Sequence, residues 1–188
     1  MITILQIGIV LALICFIYGK YTNSNFYKRR FLNAVRCEML PDIISANKGV
    51  IQTFKFLSIW AANAKNYPEI MNDRELRKMV LYFEKEKSVY TSLERANEKP
   101  MYAGRFDYLY GNLKSATWDI GRTLVCIPHE CPKCIDENFN TASYFYNNNV
   151  CPYVRKVNAL VPKYNEVRTA QGMENVVLSG TLKEIEIP

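Results

Sequence analysis

Met1 to Tyr18 form an almost unbroken apolar run in which only Thr3 and Gln6 are clearly polar. A helix rises 1.5 Å per residue and a bilayer's hydrocarbon core is about 30 Å thick, so roughly 17 to 25 apolar residues span it. The run reaches that length. A cleaved signal peptide would instead have a basic n-region, a shorter apolar stretch and a small-x-small cleavage site. Here only the α-amine precedes the run, the exit Phe16-Ile17-Tyr18-Gly19 lacks an Ala-x-Ala pattern, and Cys15 follows the bulky Ile14, a poor fit to lipoprotein processing. Residues 1–19 are therefore expected to be a retained, single transmembrane helix.

Beyond the run, apolar positions recur at three- and four-residue steps. The first stripe takes in Phe31, Ala34, Val35, Met39, Ile43, Ala46, Val50, Ile51, Phe54 and Leu57, which is helical spacing. Pro41 lies inside it and crowds the carbonyl of Cys37, so a kink, or two helices meeting there, is expected. Asn66-Tyr67-Pro68 breaks the pattern. Asn72 followed by Glu75 has capping-box spacing, and a narrower stripe then runs through Leu76, Met79, Val80, Phe83, Val89 or Tyr90, and Leu93 to an end at Glu98-Lys99-Pro100. A third, from Phe106 through Leu109, Tyr110, Leu113, Ala116 and Ile120 to Leu124, is expected to end before Pro128. The fourth, Ala142, Phe145, Tyr146, Asn149, Tyr153, Val157 and Leu160, has Pro152 as a kink and Pro162 as its stop. Alternation of Ile185 and Ile187 against Glu184 and Glu186 marks a hairpin-like or extended tail.

Four helical stripes with short connections predict an all-α antiparallel bundle. The expected division is an anchor at 1–19, a helical bundle at 20–162 and a tail at 163–188. The chain of 188 residues is 49% hydrophobic and 22% charged, which excludes a disordered or fibrous chain. Its formal charge of +6 raises nucleic-acid binding, but the densest basic cluster, Lys20, Lys28, Arg29 and Arg30, follows the anchor directly and suits anionic lipid head groups. With Arg36 these residues also orient the chain, because Lys and Arg beside a spanning helix stay cytoplasmic. The bundle is thus expected inside and the short N-terminus outside. The chain has no Asn-x-Ser/Thr acceptor, in keeping with that side.

Two stretches carry a resemblance. Arg36-Cys37-Glu38-Met39-Leu40-Pro41-Asp42-Ile43-Ile44, with Lys48-Gly49 after it, resembles the LemA family signature, a charged pair leading into Leu-Ile-Pro-Asn-Leu-Val and then Lys-Gly. Ala142, Phe145-Tyr146-Asn147, Val150, Tyr153 and Val157, with Pro162 beyond, resemble that family's closing helix, and Glu84-Lys85-Glu86 parallels its His-Glu-Lys-Glu. The motifs cover about a third of the chain, in the family's order. They imply a membrane-anchored bundle of long helices whose molecular role in the family is unsettled, one branch being associated with magnetosome membranes. The chain departs from the family in the spacing between motifs, in its alternating tail and in its cysteines. Arg36, Pro41, Lys48, Gly49, Tyr146, Asn147 and Tyr153 are read as structural motif positions. Asn147, a poor helix former, is expected to bond across the core.

Chemistry-bearing residues cluster once. Cys126, His129, Cys131 and Cys134, with Cys151 further on, have the only ligand-like spacing. A close Cys-x2-Cys pair is half of a structural zinc site. Disulfides and unpaired thiols are the other readings, the first at odds with a reducing cytosol. No Gly-x-Ser-x-Gly, Walker-type or dinucleotide motif accompanies His129, the chain's one histidine. The leading reading is a membrane-tethered scaffold or interaction protein without catalytic activity, no cofactor, and an unidentified protein partner. The competing reading is a metal- or redox-dependent membrane enzyme using the cysteine cluster.

Overall fold

The computed structural model describes the backbone of residues 2–85, 90, 91, 94, 95, 97 and 103–170, and the side chains of these except 2–10, 21–28, 85, 103 and 104. Among them are α1 (Ile2–Ala64), α2 (Pro68–Asn72), α3 (Arg74–Lys85), α4 (Ala103–Glu130), a 3-10 turn (Pro132–Cys134), α5 (Glu137–Asn149) and α6 (Cys151–Thr169). The protein is all-α and its helices pack as a bundle.

The bundle is built round α1, which packs against α3, α4, α5 and α6. Pairings down its length fix direction. Trp60 meets Phe139, Phe56 meets Phe145, Asp42 faces Lys156 and Glu38 faces Lys163. As α1 numbers fall, α5 and α6 numbers rise, so α5 and α6 run antiparallel to α1. Met39, Ile43, Val50, Leu57 and Trp60 are fully buried along the seam, each large apolar side chain contributing about 1.5–3 kcal/mol by leaving water. Trp60 also donates its indole N–H to the Cys134 carbonyl at 2.8 Å, tying the α4–α5 connection to the central helix.

The prolines behave differently from expectation. α1 runs through Pro41 as one helix. Pro41 and Cys37 are both exposed, so the carbonyl that loses its donor faces water and the break is avoided. α4 likewise continues past Pro128 to Glu130. α6 continues past Pro162 to Thr169, so the first residues expected in the tail belong to the last helix. Pro152 does more than kink: Val150 ends α5 and starts α6, and Pro152 stands in the first turn of the new helix, where its missing N–H costs nothing. Pro68 opens α2 in the same way.

Two further expectations are corrected. Asn72 is the last residue of α2, and the cap of α3 is Asp73, whose extended backbone lets its Oδ1 accept from the N–H groups of Glu75 and Leu76, both at 2.8 Å. At the start of the first stripe Phe31 and Ala34 are exposed, and Leu32 and Val35 carry the packing.

Leu32 is also the first buried side chain described along α1. N-terminal to it Leu11, Leu13, Ile14, Phe16, Ile17 and Tyr18 are exposed by 53–69%, as are Lys20, Arg29 and Arg30. Counting described residues, no helix is long and apolar enough to cross a membrane. About half of the expected anchor, residues 1–10, and the basic Lys28 fall outside the described side chains, and the expected C-terminal hairpin or extended tail lies outside the described residues from 171 on.

Candidate functional site

The two motif segments meet in space. Gly49 of α1 is buried against the end of α5. A Cβ at this position would overlap the Asn149 carbonyl oxygen and lie 2.8 Å from both the Asn149 carbonyl carbon and Val150 Cγ2. Only a residue without a side chain lets the helices approach so closely. Beside this contact opens a cleft of about 770 Å³, lined among others by Lys48, Gln52, Asn97, Asn148, Asn149 and Tyr153. Its volume is in the range of small-molecule sites. The lining offers carboxamides, an ammonium, a phenol and the Glu94 carboxylate, groups that bind and orient a polar ligand. Asn97 holds both amide atoms out of solvent without a hydrogen-bond partner among the described residues, whereas Asn148 spends its amide on the Tyr144 carbonyl at 2.8 Å. Lys156 lies over the Tyr153 ring at 5.4 Å.

Arg36 occupies the other end of the seam. It is buried, with Nη2 donating to Tyr164 Oη at 3.3 Å and to Asp107 Oδ2 at 3.4 Å, and its guanidinium sits 5.6 Å from the Phe106 ring centroid and 5.9 Å from that of Tyr164. These contacts bind α1 to α4 and α6. Next to this group Tyr110 has its hydroxyl pKa pushed up to about 12 by burial. Tyr146, not Asn147, reaches across the bundle: its hydroxyl donates to the Thr117 carbonyl at 3.3 Å. Asn147 is half-buried and its Oδ1 lies 3.9 Å from the Cys151 sulfur, one turn further along the chain. Glu84 pairs with Lys65 at 3.1 Å on the surface, and Glu86 lies outside the described residues.

The cysteine cluster does not assemble. Cys131 and Cys134 are buried and joined by a disulfide. Cys126 is half-buried and Cys151 buried, and neither is in a disulfide. His129 is exposed, with Nδ1 3.0 Å from Glu130 Oε1. Among the described residues no three His, Cys, Asp or Glu side chains are placed to share a metal ion. The expected zinc ligands are separated because Cys131 and Cys134 turn into the core behind Trp60 while His129, in the last turn of α4, points outward.

Sequence reasoning missed Asn47, Arg105 and Arg168, all buried. The signal was present for two of them. Arg168 continues the spacing Val157, Val161, Tyr164, and Arg105 stands four residues before Leu109, so each is a charged residue on an apolar stripe. No family model, curated protein or solved structure matches the chain.

Proposed function

We propose that the chain is a membrane-tethered helical scaffold. The observation that carries this is α1: one helix whose C-terminal half is the spine of the bundle and whose N-terminal part displays Leu, Ile and Phe side chains that are more than half exposed. Joined to the apolar residues 1–10, that segment has the composition and length of a spanning helix. A rigid continuous helix would hold the bundle at a set distance from the bilayer, with Lys20, Lys28, Arg29 and Arg30 at the anionic head groups. The LemA resemblance of the Arg36–Gly49 and Ala142–Val157 segments fits the same reading. The bundle's role is to present a surface to a protein partner.

The basic flank supports a cytoplasmic side for the bundle. A disulfide between Cys131 and Cys134 is unusual in a reducing compartment. Their closeness, however, follows from the 3-10 turn, whose Cys134 N–H bonds the Cys131 carbonyl at 3.0 Å, so the pair keeps its place as a dithiol too. The exposed Cys37 reports the side directly. A membrane-impermeant maleimide should label Cys37 only after cells are permeabilised, and labelling in intact cells would put the bundle outside.

A further inference from the structure

Arg105, in the first turn of α4, is 5% exposed, and its Nε and Nη2 are both sealed from solvent without a hydrogen-bond partner among the described residues. It immediately precedes Phe106, whose ring stacks on Tyr164 at 5.3 Å beneath the Arg36 guanidinium. Guanidinium cannot shed its proton inside a protein, so burial leaves a full positive charge. Arg36 has Asp107 as counter-charge, 3.4 Å away. Arg105 has none among the described residues, and an uncompensated buried charge is strongly unfavourable. The Nε and Nη2 pair is also one edge of the guanidinium, the edge whose two parallel N–H groups match two oxygens of a phosphate or carboxylate.

From this we propose that Arg105 is the core of an oxyanion-binding site at the Arg36 end of the bundle, taking a group that presents two oxygens side by side, as phosphate and carboxylate both do. Arg36, whose own Nε is buried without a partner among the described residues, adds positive potential across the Phe106 ring. The site lies away from the cleft at Gly49 and does not depend on the scaffold reading. Its occupant locks the first turn of α4 against α1 and α6, coupling anion supply to the stability of the bundle.

Thermal unfolding of the full chain in detergent tests this, with inorganic phosphate and acetate titrated against chloride at constant ionic strength. A ligand that binds only the folded state raises the midpoint with its concentration. The wild type should gain stability with phosphate, acetate or both, the stronger anion naming the class. Arg105→Met, which keeps the length of the side chain and removes the charge, should show at least tenfold weaker dependence and should be more stable than wild type in chloride alone. Arg105→Lys, retaining charge without the paired N–H edge, should also lose most of the response if Arg105→Met fails to fold. Phosphorus NMR line broadening of inorganic phosphate reads binding to the wild type directly. A wild type indifferent to both anions, or equal anion responses in wild type and Arg105→Met, would overturn the site.

Discussion

Gly49 and Gly111 show how one residue type carries opposite consequences. At Gly49 an added methyl meets backbone atoms of Asn149 that cannot turn aside. Overpacking of this kind costs about 1–3 kcal/mol, more than the roughly 1 kcal/mol of helix propensity that Ala brings. Gly49→Ala should therefore lower unfolding stability, by up to about 2 kcal/mol. Gly111 is exposed in mid-α4 with nothing near its absent Cβ, so Gly111→Ala should raise stability by about 0.5–1 kcal/mol. Chemical denaturation of the two variants checks both signs. Tyr110 gives a pH dependence. Its folded pKa, about 12, exceeds the ordinary value of 10, so its contribution is complete below pH 10 and is lost as the pH rises from 10 to 12, where the unfolded chain ionises first. The unfolding midpoint of the wild type should fall more steeply across that window than that of Tyr110→Phe.

At the scale of elements, helix identity was legible and helix ends were not. The Phe106 to Leu124 stripe is buried at every expected position, because three- and four-residue spacing directly reflects which face leaves water. Ends depend on which carbonyl a proline orphans, and water on the outer face of Pro41 and Pro162 makes the loss cheap in a way that spacing does not reveal. Caps depend on backbone conformation. Asn72 and Asp73 are both good capping types, but Asn72 is helical and Asp73 extended. Asp73→Ala should accordingly destabilise by about 1 kcal/mol, and Asn72→Ala by less than about 0.5 kcal/mol, a contrast that thermal unfolding resolves. Of the candidate site, the Lys48-Gly49 and Tyr153 positions were visible as motif residues, and their meeting at Asn149 was not, since it depends on the antiparallel register. The cysteine spacing left disulfides, unpaired thiols and a metal site open, because spacing does not show that the last turn of α4 points His129 outward while the next turn carries Cys131 and Cys134 in.

Across the whole molecule, labour is divided along α1. Every buried side chain described belongs to Leu32 or beyond, so the described core does not need the apolar N-terminal run, whose Leu11, Leu13, Ile14, Phe16 and Ile17 are more than half exposed. Exposed apolar surface on this scale belongs against lipid or a partner. The segment between Lys20 and Leu32 is about 18 Å of helix at 1.5 Å per residue, the distance at which the proposed tether would hold the bundle. The direct test is alkaline carbonate extraction of membranes from cells expressing either the full chain or a chain beginning at Lys20. The account predicts that the full chain stays in the membrane pellet, while the shortened chain is released and keeps its helical circular dichroism. A full chain released by carbonate, or a shortened chain that remains in the pellet, would contradict the tether.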